Sequence, residues 1–321
     1  MRGDLLRERV RGYARRRTGV PRWVKLAAGL GLGLLLAWLP SPFLVLSPGR
    51  VFDLADIIAV PGSVTGGRGV GMVTVAACPG RAWEVALALL HPWREVVWGR
   101  SLPLPVEQYM AAERALFTES AQFAAAAALS LVQGQLEPAG KGILVQWVSR
   151  ASPLASRLRP GDVLEGYPTT FHLRRELGER GFALVRVSGG KELRVRADDL
   201  RGVGLASLEP VVPGFPLQLK SQEVGGPSGG LACGLEILRQ LGKLDIPAGV
   251  RVVATGSLDP AGEVGRTGGV DLKARAAWQA GADLFLVPAQ QEEEARRAAP
   301  GLRVVGVTSL TQAVAAVQAL R

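Results

Sequence analysis

Two glycine-rich turns carry the residues of this chain best suited to chemistry. The first is Val224-Gly225-Gly226-Pro227-Ser228-Gly229-Gly230. Behind it, Leu231, Leu235, Leu238 and Leu241 recur at spacings of 4, 3 and 3, and Gly242 stands where a left-handed cap belongs. The spacing predicts a helix that begins at or just after Ser228. Unpaired amides and the helix dipole favour negative charge there. A nucleophile needs that setting, and so does a capping serine or an anion-binding loop. The second turn is Gly262-Glu263-Val264-Gly265-Arg266-Thr267-Gly268-Gly269-Val270-Asp271-Leu272-Lys273. It leads into a helix expected over 272–280, with Asp271 able to cap it and Lys273 in its first turn. Lysine is unfavourable at that end of a helix. Either the position tolerates a solvated lysine, or the amine is kept neutral by burial and serves as a base. A serine hydroxyl needs such a base, and arginine cannot supply one. Only six of the 38 basic residues are lysines.

Other chemistries find little support. His91 and His172 lie at a helix end and in a different part of the chain, so a Ser-His-Asp triad would have to recruit one of them across the fold. No His-Glu-x-x-His pair, cysteine cluster or Walker-type Gly-Lys-Ser/Thr segment is present, so no metal or other cofactor is expected. Cys78 and Cys233 allow at most one isolated bridge. Cys233, on the packed side of the helix after Ser228, reads as a small core residue.

The elements that must position Ser228 and Lys273 follow from the pattern around them. From Gly202 onward, strands and helices alternate: strands at 250–254, 283–287 and 303–307, and helices at 272–280, 291–299 and 310–320. Alternation of this kind argues for a partly parallel, helix-covered sheet, an α/β or α+β domain over 201–321. Residues 47–136 read as its first part. A strand at 71–76 is expected to stop at Pro79-Gly80, a helix to run over 81–90, and a long alanine-rich helix over 107–133. No chemistry is assigned to this stretch, and Ser120 reads as an ordinary mid-helix serine. Residues 137–200 form a small β-rich unit with strands at 143–148, 183–187 and 192–195 and a helix over 170–178.

The N-terminus differs from the rest. Residues 1–25 hold nine basic side chains against Asp4 and Glu8, a net of +7 out of +10. The remainder is close to neutral and offers no basic surface for nucleic acid. Residues 23–46 are almost uncharged and long enough to span a bilayer. Ala37-Trp38-Leu39-Pro40 offers no small-x-small cleavage site, which favours an uncleaved anchor over a signal peptide. The positive-inside rule then keeps the basic tail, 1–22, in the cytoplasm and exports the bulk of the chain.

As a set, these motifs resemble the proteolytic domain of the Lon family. Gly226-Pro227-Ser228-Gly229-Gly230 is similar to its nucleophile motif, in which the residue after the serine is usually alanine. Thr255-Gly256, Gly262-x-Val264 and Gly268-Gly269-Val270-x-x-Lys273 are similar to its second motif, with the offset of 18 from threonine to lysine preserved. The acidic residue that many Lon proteins carry two positions before the proline is Gly225 here. Gly142-Ile143-Leu144-Val145, Ser152-Pro153-Leu154 and Leu158-x-Pro160-Gly161-Asp162-Val163-Leu164 resemble a bacterial-protease PDZ domain, though Glu165-Gly166-Tyr167-Pro168 departs from its usual turn. The whole is similar to a bacterial branch that joins an N-terminal anchor, a PDZ domain and a Lon-like domain without the ATPase module. The resemblance implies an ATP-independent, membrane-anchored serine endopeptidase. Ser228 would be its nucleophile, Lys273 its general base, and Thr255 a residue that helps orient the lysine. Amides near Gly226, Ser228 or Gly229 would be candidate oxyanion donors, and Gly142, Ile143, Leu144 and Val145 a peptide-binding edge. It also implies polypeptide substrates, a bilayer contact through the anchor and a hexameric ring. A catalytically inactive peptide-binding scaffold at the membrane is the alternative.

Overall fold

The computed structural model describes residues 21–60, 62–63, 67–99, 104–134, 136–220 and 224–320. The basic tail expected over 1–22 lies almost entirely outside them. Helix α1 (Arg22–Trp38) contains 17 residues, none of them buried. Pro40 ends it, because a residue before proline is pushed out of the helical region, and Leu39 is extended at φ −62° and ψ 139°. The apolar run expected to cross a membrane as one segment, 23–46, is therefore two elements. Phe43-Leu44-Val45-Leu46 belongs to strand β1 (Pro40–Asp53), where Leu44 and Val45 are buried. Among the described residues, the one helix long and apolar enough to cross a membrane is the stretch Gln108–Gln133, two-thirds of which is buried in the core.

Next come β2 (Ile58–Ala59) and β3 (Gly71–Arg81). β3 runs antiparallel to β1 through Pro79-Gly80, where a turn was expected. On its other edge β3 is paired only at Gly71 and Met72. The missing N–H of Pro79 therefore breaks no ladder on that side. Helix α2 (Ala82–Leu89), strand β4 (Glu95–Trp98) on the free edge of β1, and the long helix α3 (Val106–Gln133) follow.

The β-rich unit comprises β5 (Ile143–Val148), β6 (Val163–Glu165), α4 (Thr170–Arg180), β7 (Ala183–Val187), β8 (Lys191–Val195) and β9 (Val203–Ser207). Its antiparallel sheet has the order β8-β7-β6-β5-β9 around a core that includes Ile143, Val145, Leu164, Leu173 and Val185. The unit ends at Ser207 rather than at 200, because β9 completes the sheet. β5 is an interior strand, paired with β6 on one side and with β9 on the other. Gly142 and Val145 also spend their backbone groups inside the unit, on Leu208, Asp162 and Gly161 among others. The expected peptide edge at Gly142, Ile143, Leu144 and Val145 is thus occupied. The open edges of this sheet are β8 and β9.

The chain then returns through β10 (Gln218–Leu219), which pairs with β2, to α5 (Gly230–Gln240), β11 (Val252–Ala254) and the two-stranded pair β12 (Ser257–Leu258) and β13 (Val264–Gly265). It closes with α6 (Val270–Gln279), β14 (Leu284–Pro288), α7 (Glu292–Ala298), β15 (Val304–Val307) and α8 (Leu310–Gln318). A six-stranded mixed sheet, β15-β14-β11-β3-β1-β4, gathers strands from both sides of the β-rich unit, which is an insertion. α3, α5 and α8 cover one face of it, and α6 and α7 the other. The fold is mixed α/β. The alanines of α3 (Ala121, Ala124, Ala125 and Ala128, all 0 % exposed) pack directly against α5. Cys78 is exposed and Cys233 buried, and both are free thiols.

One side chain ties the insertion to the main unit. Glu119 of α3 is buried and accepts hydrogen bonds from Thr170 Oγ1 (2.5 Å), from Ser207 N (3.0 Å) and from Ser207 Oγ. Truncating it would strand several buried donors. Glu119→Ala should lower the unfolding free energy by roughly 2–3 kcal/mol, and Glu119→Gln, which keeps an acceptor, by less. Urea denaturation of the three proteins checks this.

Candidate active site

Ser228 occupies a single 3₁₀ turn, Pro227–Gly229, at the entrance to α5. Pro227 fixes its own φ and has no N–H to satisfy. Gly226 sits at φ +87°, and a Cβ there would lie 2.8 Å from Glu113 Oε2. Only glycine fits. Gly229 is excluded from larger residues by packing: a Cβ would meet Met72 Sδ at 2.4 Å. The turn is also held from outside. Gly226 N donates to Glu113 O (2.7 Å), Ser120 Oγ to Pro227 O (2.8 Å) and Gly256 N to Ser228 O (2.8 Å). These three bonds leave the Ser228 side chain half-buried at the surface of the fold.

Lys273 approaches from α6, which starts at Val270, two residues earlier than expected. Its N-cap is Gly269 at φ +59°, and Asp271 lies inside the first turn without a capping bond. Only 5 % of Lys273 is exposed. Its Nζ lies 2.8 Å from Ser228 Oγ and donates to Thr267 Oγ1. Thr267 is itself clamped: its N donates to Gln291 Oε1 (2.8 Å), and Gln291 Nε2 donates to its carbonyl (2.9 Å). Thr255 was expected to orient the lysine. Its hydroxyl reaches Ser228 O (3.3 Å) and Thr267 Oγ1 (3.5 Å) instead. The direct partner of the amine is Thr267.

The expected oxyanion donors fare differently from the dyad. The Gly226 N–H is consumed by Glu113, and Gly229 closes a 3₁₀ turn whose amides point back toward carbonyls three residues earlier. The expected peptide-binding residues 142–145 lie in the inserted unit, on its interior strand β5. Among the described residues, no three His, Cys, Asp or Glu side chains converge in a way that could hold a metal.

Four contributors escape a reading of the sequence alone: Thr267, Gln291, Ser120 and Glu113. Glu113, Phe117 and Ser120 fall at i, i+4 and i+7 on α3, so one stripe of that helix faces the nucleophile turn. Two polar residues in an otherwise apolar stripe were the available signal. Electrostatics follow from the geometry. Burial pushes the Lys273 amine down from 10.5 to about 8, against the opposing charge of Glu113. Burial likewise raises the Glu113 carboxyl, while the Tyr109 hydrogen bond and the Lys273 charge pull it back. Tyr109 itself is pushed up to about 12 by burial and by Glu113. The arrangement leaves a minor fraction of the amine, roughly one in ten at pH 7, neutral against a serine hydroxyl, and general-base activation requires that neutral form. A comparison of the chain with protein-family models and with curated proteins returns no match.

The depressed lysine also has a stability signature. The unfolded chain keeps that proton up to about pH 10.5 and the folded chain only to about 8. The folded state is therefore penalised below pH 8, and the penalty fades as pH rises between the two values. Lys273→Met should be more stable than the parent near neutral pH, by on the order of 3 kcal/mol. The gap should close toward pH 10.5. Urea midpoints across that range test this, and a gap independent of pH would contradict it.

Proposed function

We propose that the chain is an ATP-independent serine endopeptidase of the Lon-like kind, with a Ser228–Lys273 dyad. The observation that carries the reading is a buried lysine Nζ 2.8 Å from a half-exposed serine Oγ. The neutral amine of Lys273 takes the Ser228 proton as Oγ attacks the scissile carbonyl, while its own N–H stays on Thr267. The resulting ammonium then gives that proton to the leaving amine. Water, deprotonated by the same amine, hydrolyses the acyl-enzyme and regenerates Ser228. The Ser228 amide is the donor best suited to the oxyanion, since Pro227 has none and that of Gly226 is spent. Such a donor contributes about 3–4 kcal/mol in other proteases.

The family resemblance supports the same assignment, and its two departures have physical reasons. Alanine after the serine would collide with Met72, and a side chain at 225 would collide with Glu113 Cβ at 2.9 Å. Glu113 stands over those glycines and supplies the nearby negative charge from another helix. The inserted unit would act as a PDZ domain, with strand addition on the outer edge of β9 rather than on 142–145. Exported or membrane-associated polypeptides are the proposed substrates. The chain would sit in the cell membrane as a single pass, N-terminus in the cytoplasm, catalytic unit outside, assembled as a hexameric ring.

Casein digestion by the full chain in detergent tests the dyad. Ser228→Ala and Lys273→Ala should each lower cleavage by about 10⁴-fold. Cleavage equal to the parent in both variants overturns the dyad. Peptide binding without cleavage by the parent points instead to a scaffold.

Two further variants probe the support of the base. Thr267→Val removes the partner that aims the amine and should lower kcat roughly 10- to 100-fold. Glu113→Gln removes the charge that raises the Lys273 pKa. The rising limb of its pH–rate profile should therefore move to lower pH, with kcat/KM at acidic pH exceeding that of the parent.

A further inference from the structure

Helix α2 (Ala82–Leu89) is apolar on both faces, including the face it leaves at the surface. Trp83, Ala86, Leu87 and Leu90 fall at i, i+3, i+4 and i+7. This apolar stripe faces out: Leu90 is 84 % exposed, Leu87 50 % and Trp83 40 %. The inner side holds Val85 and the buried Ala88 against the rest of the fold. The one charge in the helix, Glu84, is turned back onto the N–H of Arg81 at 2.7 Å, which leaves the outer stripe neutral.

The stripe is continuous with the end of α1. Ala82 N donates to Leu39 O (3.1 Å), the Arg81 guanidinium lies 4.0 Å above the Trp38 ring, and α1 packs against α2. Three exposed tryptophans, Trp38, Trp83 and Trp98, cluster on the elements around this exit. Tryptophans flanking an apolar helix are characteristic of the headgroup layer, and an apolar helix face bounded by cations suits an anionic surface. Arg81 and Arg94, both exposed, provide those cations.

Length adds an independent constraint. The 17 residues of α1 rise about 26 Å, short of a hydrocarbon core of about 30 Å. A short span draws its flanking residues down into the interface.

We infer that the outer face of α2 and the tryptophans at the end of α1 lie in the headgroup layer of the bilayer, docking the catalytic unit flat against the membrane. The inference rests on the reading of α1 as an anchor. Its consequence is that Ser228 is held at a fixed height above the lipid, within reach of segments that emerge from the membrane.

Depth-dependent fluorescence quenching tests this on the full chain in phosphatidylglycerol–phosphatidylethanolamine vesicles. Cysteines placed one at a time at Leu87, Leu90, Leu30 (in α1) and Leu184 (exposed on β7) in a Cys78→Ser background carry an environment-sensitive dye. Labels at 87 and 90 should be quenched several-fold more by spin-labelled lipid than the label at 184, and less by aqueous iodide. If 30 is quenched by lipid while 87 and 90 behave like 184, the docking is overturned and the anchor stands. If 30 also behaves like 184, the anchor fails and the docking with it. Shielding of 87 and 90 that appears only at high protein density, without lipid quenching, assigns the face to a second copy and overturns the bilayer as its partner.

Discussion

A primary amine withdrawn from water beside a serine hydroxyl is the interaction on which the rest of the site depends. Burial of Lys273 costs stability as long as the amine is charged. The surrounding residues make the neutral form the comfortable one. Thr267 gives its N–H an acceptor, Ser228 lies within hydrogen-bond distance of Nζ, and Gln291 locks Thr267 from both its N–H and its carbonyl. Arginine could not occupy this position and serve. Glu113 limits the effect by pulling the pKa back toward its ordinary value. An amine with a value near 8 keeps a neutral fraction of roughly a tenth at pH 7 while still being basic enough to accept a serine proton.

Helix α3 connects this site to everything around it. Glu113 holds Gly226 by its carbonyl and faces Lys273 with its carboxylate, and about two turns further on Ser120 holds Pro227. The residue next to Ser120 is Glu119, which points the other way and clamps Thr170 and Ser207 of the inserted unit. Two neighbouring side chains on one helix thus touch the nucleophile turn and the end of β9. A peptide captured along β9 would act on the same helix that sets the position of Ser228.

What could be read from residue order follows physical range. Local patterns were legible: the leucine stripe of α5, the glycine-proline turn before it, the lysine at the start of α6, and the alternation that gives a helix-covered sheet. Contacts made only by folding were not. Glu113 reaches Gly226 across the whole inserted unit, and nothing near either residue in the chain announces the meeting. Thr255 and Thr267 are equally plausible partners by type, and only side-chain geometry puts Thr267 on the amine. β5 has the composition of an edge or an interior strand, and β9 decides which. The apolar run at 23–46 looked continuous because composition does not register that Pro40 and Pro42 turn a helix into a sheet strand.

The state of the Lys273 amine tests the account most directly. With six lysines in the chain, selective ¹³C labelling and assignment by Lys273→Arg make its titration observable by NMR. An amine that titrates at about 8, well below the ordinary lysine value of 10.5, is what the buried dyad requires. Titration of Lys273 at the ordinary lysine value of 10.5 would mean that the amine is solvated and has almost no neutral form at neutral pH, and it would contradict its role as the base for Ser228.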